Sequence, residues 1–327
     1  MIRIATRRSA LARAQAHQLG MLVTERTGTP FELVPLATTG DLHPARAVGD
    51  FDTKGLFVDT IRAAVLAGDC DLAVHSYKDL PTPALDGLTV AAVPKRADPR
   101  DVLVTRQGHA LSTLPPLAAV GTSSERRRLQ LLRAKPSLQV LPIRGNLDTR
   151  LRKAADGEFD AVVIALAGLT RLYVAESLGG IGALGLPLKA APLEPGECLP
   201  APAQGALAIE ARDDDDDALA VCRLINDEPS ARRVRAERAF LAAFGGGCLA
   251  PVGALCTLTG AGGLELAGMM GDPVNRRVLR DSMRGPYADP ERVGRELAEA
   301  MLARGGRDML DSISRVRDDA KAGGRAS

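Results

Sequence analysis

The sequence predicts an α/β protein of three domains, in which the first two contain mixed, mostly parallel sheets and the third is a small α+β domain with a three-stranded antiparallel sheet. Three observations support this class. The chain has 327 residues, and single hydrophobic cores stop growing near about 250–300 residues. Strand-like and helix-like segments alternate through one stretch and again through a second, as in βαβ units. After these come three antiparallel-looking strands and a long helix.

The first unit begins with the strand "IRIATR", after which Ser9 is placed to cap a helix over Ser9–Glu25. The strand "FELVPLAT", a polar loop and the helix "LFVDTIRAAVLAG", closed by Gly68, follow. The buried-type strand "CDLAVHS" runs into "YKDLPTP", and "LTVAAVP" is the next strand. This alternation predicts one α/β domain.

The second unit repeats the alternation. Its strands are "DVLVT", "LAAVGTS", "LQVLPIRG" and the first part of "FDAVVIALAGLTRL". Ser123 or Ser124 is placed to cap the helix "SERRRLQLLRAK", and Asn146 caps the helix "NLDTRLRKAADG". One more strand, "QGALAIEA", follows a Pro-rich stretch.

Two helices, "DALAVCRLIN" and "PSARRVRAERAFLAAF", follow this strand, and a run of glycines comes after them. The strands "VGALCTLT", "GLELAGMMG" and "RRVLRDSMR" come next, and then a helix from Asp289 to about Ser314. The last residues, "DDAKAGGRAS", are expected to form a disordered tail.

Composition excludes several classes of function. A net charge of +2, no tryptophan and three tyrosines argue against a nucleic-acid-binding platform. No apolar run reaches the length of a membrane span, and the N-terminus has no apolar signal region, so we expect a cytoplasmic protein. The five cysteines include no C-x-x-C pair, and no Cys/His spacing suggests a metal site.

Two further motifs are better explained as structural features than as binding sites. "GIGALG" at Gly180–Gly185 matches the dinucleotide pattern G-x-G-x-x-G, but it neither follows a strand nor opens a helix. The five aspartates Asp213–Asp217 are more typical of a solvated helix start than of a cation site. We expect no metal and no dinucleotide.

One cysteine stands in an open stretch of backbone. Cys248 lies in "GGGCLAPVG", between a helical segment and a strand. A cysteine that serves packing sits among large apolar side chains, whereas a reactive one needs access. This position favours a chemical role.

Polar residues follow the buried strand of the first unit. "HSYKDLP" carries His75, Ser76, Lys78 and Asp79 at the carboxyl end of that strand, where α/β sheets bind ligands. Asp79 alone fits a turn-stabilising Asx contact equally well.

Arginines cluster at strand–helix turns, which shifts the balance toward a binding site. The set comprises Arg7, Arg8, Arg96, Arg100, Arg126, Arg127, Arg128, Arg144, Arg150 and Arg171. Three of them, Arg126–Arg128, occupy the first helical turn, where the helix dipole disfavours cations. With free backbone N–H groups they form an anion receptor. Because unpaired arginines in a dry cluster would be unstable, we expect a polyanion to fill it.

These motifs together resemble the porphobilinogen deaminase (hydroxymethylbilane synthase) family. The resemblance covers nearly the whole chain and rests on "RIATRRSALARAQ", "TKGLF", "AVHSYKDLPT", "DPRDVLV", "GTSSERR", "IRGNLDTRL", "AGLTRL", "PAQGALAIE" and "AERAFL…GGGC". Each motif is modest by itself, but their order is highly specific.

The resemblance implies a fold and an activity. Family members have three α/β domains, the first two hinged like a periplasmic binding protein, and the first is completed by a segment that returns after the second. They join four porphobilinogen molecules into linear hydroxymethylbilane, with release of ammonia. The chain grows on a dipyrromethane cofactor held by a thioether to a cysteine, which Cys248 matches. The resemblance also implies a monomer that needs no obligate protein partner.

The resemblance also implies residue roles. Asp79 is the catalytic carboxylate that stabilises positive charge on the pyrrole and passes a proton to the leaving amine. A loop over residues 42–55 is the lid, and Gln204 lies at the hinge. Residues expected to bind cofactor and substrate are Arg7, Ser9, Gln15, Lys54, Ser76, Lys78, Arg96, Thr122, Ser123, Ser124, Arg126, Arg127, Arg144, Gly145, Asn146, Arg150, Ala165, Gly168, Arg171 and Gln204.

The resemblance implies three domains: the first contains residues 1–94 and 200–222, the second residues 98–195, and the third residues 225–316. A disordered tail is expected over residues 317–327.

Three residues depart from the family pattern. Asp59 stands where many members carry a lysine, Gly245 replaces a frequent acid, and Ala203 stands where "GQG" is usual. The first weakens any claim for a cofactor-binding lysine there, and the third is expected to stiffen the hinge slightly.

Two rival functions remain. A non-catalytic anion-binding protein would share the first two domains but carry no covalent adduct. A cysteine hydrolase using Cys248 with His75 would need an orienting partner and an oxyanion motif, for which the sequence supplies no signal.

Overall fold

The computed structural model describes residues 1–37, 53–172, 185–245, 250–260 and 262–323, without the side chains of 53–57 and 317–323. Several predictions fall outside these residues. They concern Cys248, the side chain of Lys54, the lid over residues 42–52, and residues 180–184 of "GIGALG".

The described elements alternate as the sequence predicts. The strands are β1 (Ile2–Arg7), β2 (Phe31–Leu36), β3 (Leu72–Ser76), β4 (Leu88–Ala92), β5 (Asp101–Thr105), β6 (Ala119–Gly121), β7 (Gln139–Leu141), β8 (Ala161–Ala165), β9 (Lys189–Pro192), β10 (Leu207–Arg212), β11 (Val252–Thr259), β12 (Gly263–Asp272) and β13 (Arg277–Pro286). The helices are α1 (Ala10–Thr27), α2 (Thr53–Leu66), α3 (Glu125–Ala134), α4 (Leu147–Ala155), α5 (Leu166–Leu172), α6 (Asp216–Ile225), α7 (Glu228–Ala243), α8 (Pro290–Met301) and α9 (Arg307–Gly323).

The chain forms two compact units. The first contains Met1–Ala97 and Gln204–Arg232, and the second contains Asp98–Ala203 and Arg233–Ser327. In the first unit the returning strand β10 lies inside the sheet, between β3 and β4. The predicted return of "QGALAIEA" to the first unit is therefore observed.

The sheet of the first unit has the order β2-β1-β3-β10-β4. β1 pairs in parallel with β2 and β3, whereas β10 pairs antiparallel with β3 and β4. Alternation along β3 sends Leu72 and Val74 into the core under α1 and α6, and Ala73 into the core under α2. A helical layer therefore covers each face.

The second unit holds two further sheets. One has the order β7-β6-β8-β5-β9, with β6 parallel to β7 and β8 and with β5 antiparallel to β8 and β9. The predicted mixed α/β class is confirmed. The sheets were expected to be mostly parallel, but only two of the four strand pairings in each five-stranded sheet are parallel. The other sheet is the predicted antiparallel one, β11-β12-β13.

The end of the chain differs from its prediction in two ways. The predicted single helix is interrupted between α8 and α9, where Gly305 adopts φ +106. A left-handed residue cannot continue a right-handed helix, so the glycine pair Gly305-Gly306 separates the two. The expected disordered tail is wrong for residues 317–323, which are helical in backbone, and residues 324–327 lie outside the described residues.

Ala203 occupies a left-handed backbone position, with φ +63 and no exposed surface. Its N–H donates to Glu237 Oε2 at 2.7 Å, which fixes the backbone there. Glycine adopts this conformation without steric cost, which agrees with the glycine of the family pattern.

Ala203→Val is expected to lower the free energy of unfolding by about 2–4 kcal/mol, because a branched side chain is strained at positive φ and overpacks a closed site. Ala203→Gly is the matched control. It relieves strain but loses a buried methyl group, so its effect is expected to stay within about 1 kcal/mol. Urea unfolding measures both. Equal stability of the valine variant and the wild type would contradict the argument.

Candidate active site

In the first unit, polar side chains meet at one edge of the sheet. β1 and β3 are parallel, so their carboxyl ends, Arg7 and Ser76, lie at the same edge. Ser9 follows β1 and caps α1 by accepting the N–H of Ala12 at 3.3 Å. From α1, the buried Gln15 donates Nε2 to Ser76 Oγ at 2.8 Å. The structure therefore brings four predicted site residues to this edge.

A single 3₁₀ turn, Tyr77–Asp79, carries the predicted catalytic carboxylate away from β3. The Tyr77 N–H donates to Ala206 O at 3.1 Å, and the Leu80 N–H donates to Tyr77 O at 3.3 Å. Tyr77 is buried, whereas Asp79 is exposed. The turn is thus anchored at its start and presents Asp79 to solvent.

Gln204 lies at the junction where the chain re-enters the first unit. Its side-chain Oε1 accepts Lys78 Nζ at 3.2 Å, and its main-chain O accepts Arg96 Nε at 2.9 Å. The Arg96 N–H in turn donates to Ser230 Oγ at 3.0 Å. Gln204 and Arg96 are both buried, so these contacts fix the junction beside the Tyr77–Asp79 turn.

A second polar edge lies in the second unit, at the carboxyl ends of the parallel strands β6, β7 and β8. Ser124 caps α3 by accepting the N–H of Arg127 at 3.4 Å, and its own N–H donates to the buried Thr122 at 3.2 Å. Ser123 Oγ donates to Ile143 O at 2.6 Å, which ties the loops after β6 and β7.

The next helix starts at the same edge. Asn146 stands at the N-cap of α4 without a side-chain cap bond, and both it and Gly145 are exposed. Ala165 ends β8, and Gly168 lies in α5 directly after it. The helix starts of α3 and α4 therefore present backbone N–H groups at one edge, as anion sites do.

Three predicted binding arginines belong to segments that follow the strands of this edge, Arg144 and Arg150 after β7 and Arg171 in α5 after β8. Arg144 is exposed, and Arg150 donates Nε to Gly145 O at 2.8 Å. Burial and the positive charges of Arg127 and Arg144 lower the pKa of Arg150. Burial lowers the pKa of Arg171 to about 10. A bound anion would stabilise both cations, since it would offset burial at each of them and the like charges around Arg150.

Two of the predicted ligand-binding arginines are paired internally. Arg126 and Arg127 are buried, and both guanidinium groups bond to the fully buried Asp101, at 2.8 Å and 2.7 Å. Arg126 also donates to Leu199 O, and Arg127 to Val163 O at 2.9 Å. The expectation that only a polyanion holds the cluster together is thus incomplete, since Asp101 supplies one internal counterion.

Sequence reasoning missed Asp101, although a signal was present. An acid directly before the apolar run "VLV" would be buried at the start of a strand, and a buried carboxylate needs a cationic partner. One carboxylate for two guanidinium groups still leaves this part of the edge with one net positive charge.

Two findings concern other classes of site. Among the described residues, no three His, Cys, Asp or Glu side chains are grouped so that they could hold a metal ion. The described helices also include none with the length and apolarity that crossing a bilayer requires.

Comparison with known proteins gives consistent matches. The family profile "Porphobilinogen deaminase, dipyromethane cofactor binding domain" matches residues 2–220, and "Porphobilinogen deaminase, C-terminal domain" matches residues 231–303. The porphobilinogen deaminase of Thermus thermophilus is 42% identical over 315 residues, which cover 95% of this chain and 98% of that protein. That of Acidothermus cellulolyticus is 44% identical over 314 residues, 95% of this chain and 91% of that one.

Among solved structures, the periplasmic VFT2 domain of BvgS from Bordetella pertussis aligns with a TM-score of 0.37. It is 17% identical, and the alignment covers 68% of this chain and 86% of that domain. A periplasmic binding protein of Salmonella typhimurium aligns with a TM-score of 0.36 at 11% identity, over 70% of this chain and 93% of that one.

Proposed function

Because the chain belongs to the porphobilinogen deaminase family and is thus a transferase of tetrapyrrole synthesis, we propose that it joins four porphobilinogen molecules head to tail into hydroxymethylbilane. Each addition releases one ammonia. The observation that carries the proposal is the exposed Asp79 on an anchored turn. We further propose a cytoplasmic monomer that needs no obligate protein partner.

The residues of the second unit fit a dipyrromethane cofactor, whose side chains are carboxylates. Arg144, Arg150 and Arg171 are cations at one sheet edge, and burial or like charge lowers the pKa of the last two. Each charge-assisted hydrogen bond to a carboxylate is worth about 1.5–3 kcal/mol. When bound through a thioether to Cys248, the cofactor supplies the pyrrole carbon to which the first substrate is joined.

Asp79 handles charge and protons in each addition. The C–N bond of the aminomethyl group breaks, and Asp79 passes a proton to the amine, which leaves as ammonia. The positive charge left on the substrate pyrrole is stabilised by the carboxylate; at about 4 Å such a pair is worth about 4 kcal/mol at an intermediate dielectric. A C–C bond then forms to the α-carbon of the acceptor pyrrole, and the proton that this carbon loses passes to the Asp79 carboxylate, which restores it for the next addition.

The other residues of the first unit bind and orient substrate. Lys78 directly precedes Asp79 in the turn, and Arg7 lies at the same edge of the sheet. Both are cations, which suit the acetate and propionate groups of porphobilinogen. Ser76 is held by Gln15, so its hydroxyl has a fixed direction. A non-catalytic anion-binding protein would not need an exposed carboxylate beside these cations, and a hydrolase using Cys248 with His75 is disfavoured because His75 is buried.

The intact mass of the purified protein tests this function. We expect an excess over the sequence mass equal to two linked pyrroles, and peptide mapping should place it on the peptide that contains Cys248. Cys248→Ser should lose both the excess and turnover, whereas Cys222→Ser, a change at a buried cysteine, should keep the excess. An active wild-type protein with the bare sequence mass would refute the covalent cofactor.

A further inference from the structure

Strand β3 is held on both of its faces immediately before the turn that carries Asp79. Successive strand residues point to opposite faces. Ser76 therefore faces α1, where it bonds Gln15. His75 faces the other helical layer, with Ala73, whose neighbours include side chains of α2.

The contact of His75 is with a buried carboxylate. His75 Nε2 lies 3.0 Å from Glu210 Oε2 on β10, and both side chains are nearly inaccessible, at 5% and 3% exposure. Their strand register makes them diagonal neighbours, since His75 pairs with Ala208 and Glu210 pairs with Ala73. The contact joins two adjacent strands on one face.

Arg62 completes the group from helix α2. Its Nε and Nη2 donate to the two oxygens of Glu210 at 2.9 Å and 2.7 Å, a two-bond guanidinium–carboxylate pair. Burial alone would raise the pKa of Glu210, but the nearby His75 and the two hydrogen bonds from Arg62 lower it to about 2. Glu210 is therefore ionised at neutral pH and can accept but not donate hydrogen bonds.

We propose that His75 is a positioning residue for Asp79: with Glu210 and Arg62 it fixes the end of β3, and so the direction of the turn Tyr77–Asp79. This inference rests on the proposed function of Asp79. A turn that follows a strand held on both faces has little freedom to swing, and a displacement of about 1 Å at a reacting group can cost about a hundredfold in rate. His75 itself is too buried to touch substrate.

His75→Leu removes the polar contact between the imidazole and Glu210 and puts a compact apolar side chain in its place. We expect kcat for ammonia release from porphobilinogen to fall about 10-fold to 100-fold, with KM changed less than about threefold. Amide hydrogen exchange of the peptide that spans residues 77–80 should become faster. His75→Gln, whose amide N–H₂ can contact Glu210 in the same place, should restore kcat to within about threefold of the wild type and restore slow exchange.

His17→Leu, the same substitution on the exposed face of α1, is the matched control and should behave as the wild type. If His75→Leu fails to fold in a urea titration, His75→Asn, whose amide is too short to reach Glu210, takes its place. Wild-type kcat with wild-type exchange in the variant that lacks the Glu210 contact would overturn the proposal, as would a lowered kcat without faster exchange. If the wild type released no ammonia, the proposed function would fail, while the exchange comparison would still test the positioning of the turn.

Discussion

Asp79→Asn is expected to lower turnover of porphobilinogen by about a thousandfold or more. The amide keeps the size of the side chain and its place on the Tyr77–Asp79 turn, but removes the negative charge and the proton carrier. Loss of one preorganised electrostatic contact costs about 10²–10³ in kcat, and loss of general acid–base catalysis about 10²–10⁴. Because Asp79 is exposed, the substitution leaves no buried charge unpaired, so the fold should stay intact.

Release of ammonia and consumption of porphobilinogen, followed with purified protein, measure the loss. Asp86→Asn is the matched control, since Asp86 is an exposed aspartate of the same unit that follows the same strand–turn segment. It should keep wild-type turnover. The intact mass of the Asp79 variant should still show an adduct. Turnover within about tenfold of wild type would show that Asp79 does not carry the chemistry.

The fold follows from sequence patterns because its elements are signalled locally. "CDLAVHS" and "DVLVT" become buried strands, Ser9 caps α1 as predicted, and Ser124, one of two predicted candidates, caps α3. The sequence does not predict the break between α8 and α9, because an amphipathic helix either continues through a pair of glycines or ends at them. The left-handed backbone at Gly305 decides the outcome.

The candidate site was predicted less completely, since charges inside it depend on partners far along the chain. The position of Asp79 after a buried strand follows from "HSYKDLP" alone. Glu210 stands in the apolar run "ALAIEA", which indicates a buried acid, but its partners Arg62 and His75 are set by how β10 pairs in the sheet. Local pattern therefore signals that a charge is buried but not what neutralises it.

The arginines of α3 illustrate the same limit. Sequence reasoning groups Arg126 and Arg127 with Arg144 and Arg150 as one carboxylate-binding set. The structure separates them into a buried pair that bonds Asp101 and a more accessible pair near Gly145. The buried pair thus has a structural task, and the positive charge of Arg127 also acts on Arg150, whose pKa it helps to lower.

Asp101→Asn is expected to lower the free energy of unfolding by about 3–5 kcal/mol, since it leaves two buried guanidinium groups without their carboxylate. Asn keeps the shape of Asp but can accept through only one oxygen. It also places an amide donor against one of the arginines. Urea unfolding followed by circular dichroism measures the change. Asp98→Asn is the matched control, because Asp98 pairs with Arg100 at 36% exposure, and such pairs contribute about 0–1 kcal/mol.

The pH dependence gives the same prediction a second readout. Burial would raise the pKa of Asp101, but Arg126 and Arg127 hold it well below the ordinary value of 3.8. A lowered carboxyl pKa contributes stability that is complete at pH 7 and is lost as the pH falls through and below the ordinary range. The stability gap between wild type and Asp101→Asn should therefore narrow in acid. A gap no larger than that of Asp98→Asn at pH 7, or one that widens in acid, would contradict the assignment of Asp101 as the counterion of the arginine pair.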